Sequence, residues 1–246
     1  MDHATRGAEA LERLRARAPR VHCLTNEAAA NLTANGLLAL GAVPSLTDHH
    51  EEIGAFTRSA GALAINLGTP DSGRLAAIDM AVAAAMGAGV PWVLDPVMID
   101  RAPSRRAAAR RLVAQGPDVL RLNEAERAAL FDRPGAPDFS GVLAVSGETD
   151  RLSRGERRVE IANGHPLMAR ITGAGCLLGA LTGAFLAVEP DPLEAAVAAN
   201  LTLGIAGERA GARSTGPGSF QVAMLDALAA LAPADIESQA RIPCAL

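Results

Sequence analysis

Short apolar runs alternate with alanine-rich helical stretches as far as residue 146, and this alternation constrains the fold more than any other feature of the sequence. Strands that alternate with helices form βαβ units, in which a parallel sheet carries helices on both faces. The sequence therefore predicts one α/β domain over residues 1–246, with a central, mostly parallel sheet. The predicted strands are 21–25, 43–47, 62–67, 92–97, 119–122 and 142–146, and the predicted helices are 31–40, 51–59, 72–86, 104–114 and 124–130.

The pattern changes after residue 146. Residues 151–161 predict a β-hairpin, with Arg154-Gly155-Glu156 at its centre. The most apolar stretch of the chain, 174–188, is too short to span a bilayer, so we expect a buried helix there. Two further helices are predicted at 192–210 and 220–230.

Two missing residue types narrow the possible chemistry. The chain has no tyrosine, and all 23 of its basic residues are arginine. A Walker-type phosphate loop and a Schiff-base enzyme both need a lysine, so both classes are excluded in their usual form, as is catalysis by a tyrosine. Phosphate chemistry would have to use backbone N–H groups, arginine and a metal ion.

Charge and cysteine content indicate where the protein works. The net charge of −4 gives no electrostatic reason to expect nucleic acid or an anionic membrane as a partner. The polar segment 1–14 has no apolar run of the signal-peptide type. The three cysteines are widely spaced and form no metal-binding pattern, which favours a reducing compartment. We therefore expect a cytoplasmic protein.

Polar residues lie at the carboxyl ends of several predicted strands. In an open parallel sheet, ligands bind at the carboxyl ends of the strands, so polar residues at several such ends indicate a site. These residues are Thr25-Asn26, Asn66 with Gly68-Thr69, Asp95, Arg121 with Asn123, and Ser146-Gly147-Glu148.

A glycine-rich turn, Thr172 to Cys176, precedes the predicted helix at 174–188. Backbone N–H groups at the start of a helix bind anions, and glycines allow a phosphate to approach the backbone. A role in helix packing explains the turn equally well. A dinucleotide fingerprint does not, because the spacing of Gly173, Gly175 and Gly179 misses that motif by one residue.

Acidic residues at the ends of two strands have two possible roles. Asn123 and Glu126 form a capping box in sequence, which is a complete structural explanation. Glu126 and Asn123 could also organise Mg²⁺ and its waters around nucleotide phosphates, since hard oxygen ligands suit that ion. Asp95 could likewise assist Mg²⁺ or cap the following loop.

Six segments of the chain, taken in order, resemble the hydroxyethylthiazole kinase family. They cover nearly the whole sequence, so the resemblance does not depend on one short motif. The segments are VHCLTNEAAANLTANGLLALGAVPSLTD, ALAINLGTP, VLDPV, VLAVSGETD, NGHPLMARITGAGCLLGALTGAFLAV and GPGSFQVAMLDAL.

The resemblance implies a ribokinase-like fold and a kinase that transfers the γ-phosphoryl group of ATP. The acceptor would be the hydroxyl of 4-methyl-5-(2-hydroxyethyl)thiazole, in thiamine salvage. The same chemistry on another small heterocyclic alcohol, such as a hydroxymethylpyrimidine, is the nearest alternative. A non-catalytic member that binds a thiazole or a nucleotide is a third. The resemblance also implies a homotrimer with thiazole sites between subunits.

The family pattern assigns roles to individual residues. It implies that Cys176 is the catalytic base, within an anion hole formed with Gly173, Ala174 and Gly175. The other implied roles are nucleotide contacts at Arg121, Asn123, Ser146 and Thr172, Mg²⁺-linked acids at Asp95 and Glu126, and a thiazole pocket lined by Asn26, Ala28, Leu46, Gly68 and Gly173.

Four positions depart from the family pattern. A glycine-rich loop usually follows the aspartate that Asp95 matches, but here residues 98–103 read MIDRAP. Leu122 stands where a glycine is usual, and Leu46 replaces a frequent methionine at similar volume. The segment 131–141 is shorter than in typical members, as surface loops tolerate.

Overall fold

A nine-stranded sheet forms the centre of the computed structural model, which describes residues 2–131 and 139–245. The strands are β1 (Arg20–Leu24), β2 (Val43–Ser45), β3 (Ala62–Asn66), β4 (Trp92–Asp95), β5 (Val119–Asn123), β6 (Val142–Ser146), β7 (Asp150–Arg154), β8 (Arg157–Ile161) and β9 (Cys244–Ala245).

The strand order is β2-β1-β3-β4-β5-β6-β7-β8-β9. All pairs from β2 to β6 are parallel, and β7, β8 and β9 pair antiparallel at one side. The predicted mostly parallel sheet is therefore confirmed, and the predicted hairpin at 151–161 is the β7–β8 pair, which turns at Gly155 with a φ of 59°.

Helices cover both faces of the sheet, as predicted. No single helix among the described residues is long and apolar enough to cross a membrane, although the helices Pro217–Ala230 and Pro233–Gln239, bent by 110°, together match a span in length and composition. The helices are α1 (His3–Arg17), α2 (Glu27–Leu40), α3 (Ile53–Ser59), α4 (Ser72–Ala88), α5 (Pro103–Val113), α6 (Glu124–Leu130), α7 (Ala174–Leu186), α8 (Pro192–Arg213), α9 (Pro217–Ala230) and α10 (Pro233–Gln239).

Alternate residues of each central strand face two separate hydrophobic cores. In β3, Ala62 and Ala64 face the core shared with α1, α2 and α7–α10, while Leu63 and Ile65 face the core shared with α3–α6. The two alanines leave room for Gly183 of α7. A Cβ atom placed on Gly183 would lie 3.8 Å from the Cβ of Ala62 and 3.7 Å from that of Ala64. The buried helix predicted at 174–188 is thus α7, held against the middle of the sheet.

Local hydrogen bonds explain where the element boundaries differ from the prediction. Helix α2 begins at Glu27, because Asn26 caps it by accepting from the Ala29 amide at 3.0 Å. Strand β2 ends at Ser45, because the Thr47 carbonyl turns away to accept from His22 Nε2 at 2.9 Å. Strand β4 ends before Pro96, which has no N–H to donate.

Four elements were not predicted: α1, α10, β9 and a 3₁₀ helix over Pro166–Arg170. Helix α1 lies in the segment that the sequence analysis treated only as polar. Its buried residues Leu11 and Leu14 lie three apart on one face, beneath a charged outer surface. Of the shortened segment 131–141, residues 132–138 lie outside the described residues.

Helices α2 and α7 approach each other closely at Gly36. A Cβ atom at this position would overlap with the Cδ atoms of Leu177, which is fully buried. Buried side chains in a packed core move only at a cost. The absence of a side chain at Gly36 therefore allows the first turn of α7 to pack directly against α2.

We predict that Gly36→Ala lowers the free energy of unfolding by about 1–3 kcal/mol, because overpacking outweighs the helical preference for alanine. Gly87→Ala is the matched control, because Gly87 is an exposed glycine in α4 with no atom within 4 Å of its Cβ position. This variant should gain up to about 1 kcal/mol. Urea unfolding of both variants measures the difference, and a stabilised Gly36→Ala would contradict the packing argument.

Candidate active site

Four polar side chains form one hydrogen-bonded chain along the carboxyl edge of the parallel strands. Asn26 follows β1, Asn66 ends β3 and Asp95 ends β4. The Asn26 amide donates to Asn66 Oδ1 at 2.9 Å, and the Asn66 amide donates to Asp95 Oδ2 at 2.7 Å. Arg121 of β5 donates from Nη1 to Asp95 Oδ1 at 3.2 Å. Neighbouring parallel strands end at one edge, so residues far apart in sequence meet there.

Cys176, in the first turn of α7, joins this chain. Its Sγ accepts from the Asn26 amide at 3.3 Å and from the Asn66 amide at 3.2 Å. Gly173 precedes the helix with a φ of 92°. The first N–H groups of a helix have no intrahelical partner, and with the helix dipole they favour an anion. The predicted anion hole, 173–176, therefore contains the thiol of Cys176 and lies beside Asp95, which Asn66 joins to that thiol.

Burial determines the charges at this centre. Burial raises the pKa of Cys176 to about 11, and the charge of Asp95 acts in the same direction. Burial likewise raises the pKa of Asp95 to about 6, although Arg121 opposes the shift. Burial alone would lower the pKa of Arg121, but the charges of Asp95 and Glu126 raise it above its ordinary value. At neutral pH the centre therefore holds a thiol, a carboxylate and a guanidinium group.

The glycines predicted for the site lie where a side chain has no room. A Cβ atom on Gly175 would lie 2.8 Å from Arg121 Nη1. A Cβ atom on Gly68 would lie 2.8 Å from both Asn26 Nδ2 and Asn66 Oδ1, and the Gly68 amide donates to that Oδ1 at 2.9 Å. The crowding explains why glycine occupies these positions.

Glu126 is buried in the first turn of α6 and forms the predicted capping box with Asn123, whose backbone N–H donates to Glu126 Oε2 at 2.8 Å. Its other oxygen accepts from the Met98 amide at 2.8 Å. Met98 has a φ of 57°, in the left-handed region that glycine adopts most easily. The loop that lacks the family's glycines thus keeps a glycine-like backbone, fixed by Glu126.

The other predicted residues lie around this centre. No side-chain hydrogen bond joins Ser146 or Thr172 to it within the described ranges. Ser146 ends β6 in register with Asn123, Thr172 is exposed before α7, Ala174 is buried at the start of α7, Ala28 is exposed in the first turn of α2, and Leu46 is half-buried after β2.

Asn66 contacts the centre most extensively, yet the motif analysis gave it no role. Its signal in the sequence was only its place at the carboxyl end of a predicted strand, which it shared with several other polar residues. No three His, Cys, Asp or Glu side chains in the described part of the chain are grouped so that they could hold a metal ion.

Comparison with known proteins assigns the chain to a family. The model of the hydroxyethylthiazole kinase family matches residues 11–137 and 133–234. A probable hydroxyethylthiazole kinase from Agrobacterium fabrum is 45% identical over 239 residues, which cover 97% of this chain and 95% of that protein.

Solved structures agree with the sequence match. The hydroxyethylthiazole kinase from Pyrococcus horikoshii superposes with a TM-score of 0.93 at 40% identity, covering 96% of this chain and 97% of that one. A ribokinase-like superfamily protein from Enterococcus faecalis shares the fold at 13% identity, with a TM-score of 0.65 over 92% of this chain and 95% of that one. The chain therefore belongs to the hydroxyethylthiazole kinase family and is a kinase with a ribokinase-like fold.

Proposed function

We propose that this chain, acting as one domain, transfers the γ-phosphoryl group of ATP to the hydroxyl of 4-methyl-5-(2-hydroxyethyl)thiazole in thiamine salvage. The observation that carries the proposal is the meeting of Cys176, Asp95 and Arg121 beside the N-terminus of α7. Phosphoryl transfer needs positioning and charge stabilisation more than covalent help from the protein. An anion site, a guanidinium and a carboxylate provide both.

The predicted acidic residues fit a magnesium ion that arrives with the nucleotide. Mg²⁺ keeps several waters and binds through one or two carboxylates together with substrate phosphates. Asp95 and Glu126 are both buried, and each accepts two protein hydrogen bonds while keeping lone pairs for water. Burial is the main cause that raises the pKa of Asp95, and the negative charge of Glu126 raises it further. A dication would relieve the repulsion between the two carboxylates. Bound Mg²⁺ would neutralise charge on the transferring phosphate.

Cys176 is proposed as the base that receives the proton of the substrate hydroxyl. Two amide donors at Sγ favour the thiolate, whereas burial favours the thiol. Because the resting group is a thiol, it must first release its proton to solvent. The thiolate then receives the proton of the substrate hydroxyl, which leaves the alcohol late in a loose transition state. The alternative is that Cys176 only fills space at the start of α7, as buried cysteines often do.

The proposed assembly is a homotrimer with thiazole sites between subunits, working in the cytoplasm. Ala28 is exposed and Leu46 is half-buried in the single chain, so the proposed pocket is open on this side. Leu38, on α2 like Ala28, is 57% exposed, and Val43, on β2 just before Leu46, is 45% exposed. A substitution at Leu38 therefore tests whether this side of the chain contacts another subunit.

The first prediction from this proposal concerns the substrate. Incubated with Mg·ATP and a panel of thiazole, pyrimidine and sugar alcohols, the protein should phosphorylate hydroxyethylthiazole best, as identified by mass spectrometry of the products. Reactions without ATP are the control. A clear preference for a pyrimidine or a sugar would contradict the proposal, and binding without turnover would favour a non-catalytic member.

The second prediction separates a base from a packing residue. Cys176→Ala should lose about 10²–10⁴-fold in turnover while still folding and binding the thiazole. Cys176→Ser keeps the size of the side chain but is a far poorer base, so it should lose nearly as much. Cys176→Asp supplies a carboxylate base and should retain substantial activity. Steady-state kinetics and calorimetric thiazole binding measure these effects, and near wild-type turnover in the serine variant would leave Cys176 as packing only.

The third prediction tests the assembly. Light scattering should give three times the chain mass of 25.2 kDa. Leu38→Glu should reduce that mass and lower turnover with it, because a charge would be buried between subunits. Met86→Glu is the matched control, since Met86 is 56% exposed on α4 at the other face of the sheet. A monomeric wild-type protein that is active at low concentration would refute the proposed assembly.

A further inference from the structure

Asn66 uses all of its hydrogen-bonding capacity at the site. Its Oδ1 accepts from the amide of Gly68 and from Asn26 Nδ2, each at 2.9 Å. Its Nδ2 donates to Asp95 Oδ2 at 2.7 Å and to Cys176 Sγ at 3.2 Å. A backbone N–H can only donate and a carboxylate can only accept, so these partners fix which side of the amide is nitrogen. The side chain is only 4% exposed.

The same argument fixes the hydrogen bonding of the sulfur. Asn26 Oδ1 caps α2, so its Nδ2 faces Asn66 Oδ1 and Cys176 Sγ. Both amides therefore present N–H groups to the sulfur, which accepts from two donors. The S–H bond of a thiol cannot point at either nitrogen, and the lone pairs that face them are held in a fixed direction.

The ion pair between Asp95 and Arg121 holds Asn66 in turn. Asp95 lies between Asn66 and Arg121, and all three are buried or nearly so, with side-chain exposures of 2% for Asp95 and 13% for Arg121. The amide of Asn66 is thus the only described side chain that bonds both the carboxylate and the sulfur. Its position couples the charged pair to Cys176.

We propose that Asn66 is a positioning residue for phosphoryl transfer that acts through Cys176. Asp95, paired with Arg121, holds the Asn66 amide, and the amide holds the Cys176 sulfur as a hydrogen-bond acceptor. The inference rests on the proposed role of Cys176 as the base. Small misplacements of reacting groups are costly, since a shift of about 1 Å can lower the rate about 10²-fold.

A structural role is the competing explanation, because a buried amide with four partners also stabilises the fold. Asn163 provides a matched control. It is 5% exposed, its Nδ2 donates to Glu208 and the Gln239 carbonyl, and its Oδ1 accepts from the Arg241 amide. Asn163→Ala should lower the melting temperature as Asn66→Ala does, while its turnover stays near that of the wild type.

The deciding experiment is a double-mutant cycle on turnover. With hydroxyethylthiazole, labelled ATP and a temperature at which every variant is folded, Asn66→Ala should lower kcat about 10–100-fold and change KM much less. In the Cys176→Ala background the same substitution should cost less than about twofold, since the residue it acts through is gone. An equal loss in both backgrounds would overturn the inference.

A second readout does not depend on kinase activity. Asn66→Asp has the same shape but loses the N–H that faces the sulfur, since any proton on the new carboxyl would bond Asp95. Alkylation of Cys176 by iodoacetamide, followed by mass spectrometry of its peptide, should become several-fold slower, because the thiolate loses a hydrogen-bond donor in either protonation state of the new carboxyl. An unchanged rate would overturn the inference even if the wild type phosphorylates no alcohol in the panel, a result that would count only against the proposed function.

Discussion

The buried ion pair between Asp95 and Arg121 is the interaction on which the geometry of the site depends. Exchanging such a pair for apolar residues is often neutral or stabilising, whereas removing one partner leaves an uncompensated charge and typically costs about 3–5 kcal/mol. Here the pair does more than balance charge. Asp95 accepts from Asn66, which bonds Cys176, and Gly175 leaves the space that Arg121 needs. Through Asn66, the buried pair therefore fixes the hydrogen bonding of the Cys176 sulfur.

The loop after β4 shows how a local strain is held by a neighbouring element. Met98 adopts a left-handed backbone that costs a residue with a Cβ about 1 kcal/mol or more. Its N–H reaches the carboxylate of Glu126, and the other oxygen of that carboxylate caps α6. Arg105 donates to the Val97 carbonyl at 2.7 Å and anchors the loop from the other side. The backbone path survives without glycine because side chains on α5 and α6 hold it.

The sequence predicted the central sheet well because strong periodicity and short loops leave few alternatives, and motif resemblance located most of the residues that meet at its edge. Helix α1 was missed since charges dominate its composition, and its apolar stripe has a partner only once α8 is in place. Strand β9 is two residues long, too short for any pattern. Asn66 was not assigned because its role comes from two contacts, to Asp95 and Cys176, that are distant in the chain.

The two outermost strands of the described sheet are also its shortest. Strand β2 has three residues, including Pro44, and β9 has two. An edge strand exposes unpaired backbone groups that can recruit another extended chain, and short length and proline both limit this. A sheet of nine strands thus offers very little template for intermolecular β-pairing. The folded protein should accordingly resist ordered aggregation through its edges, so that any tendency to aggregate would arise from partly unfolded chains.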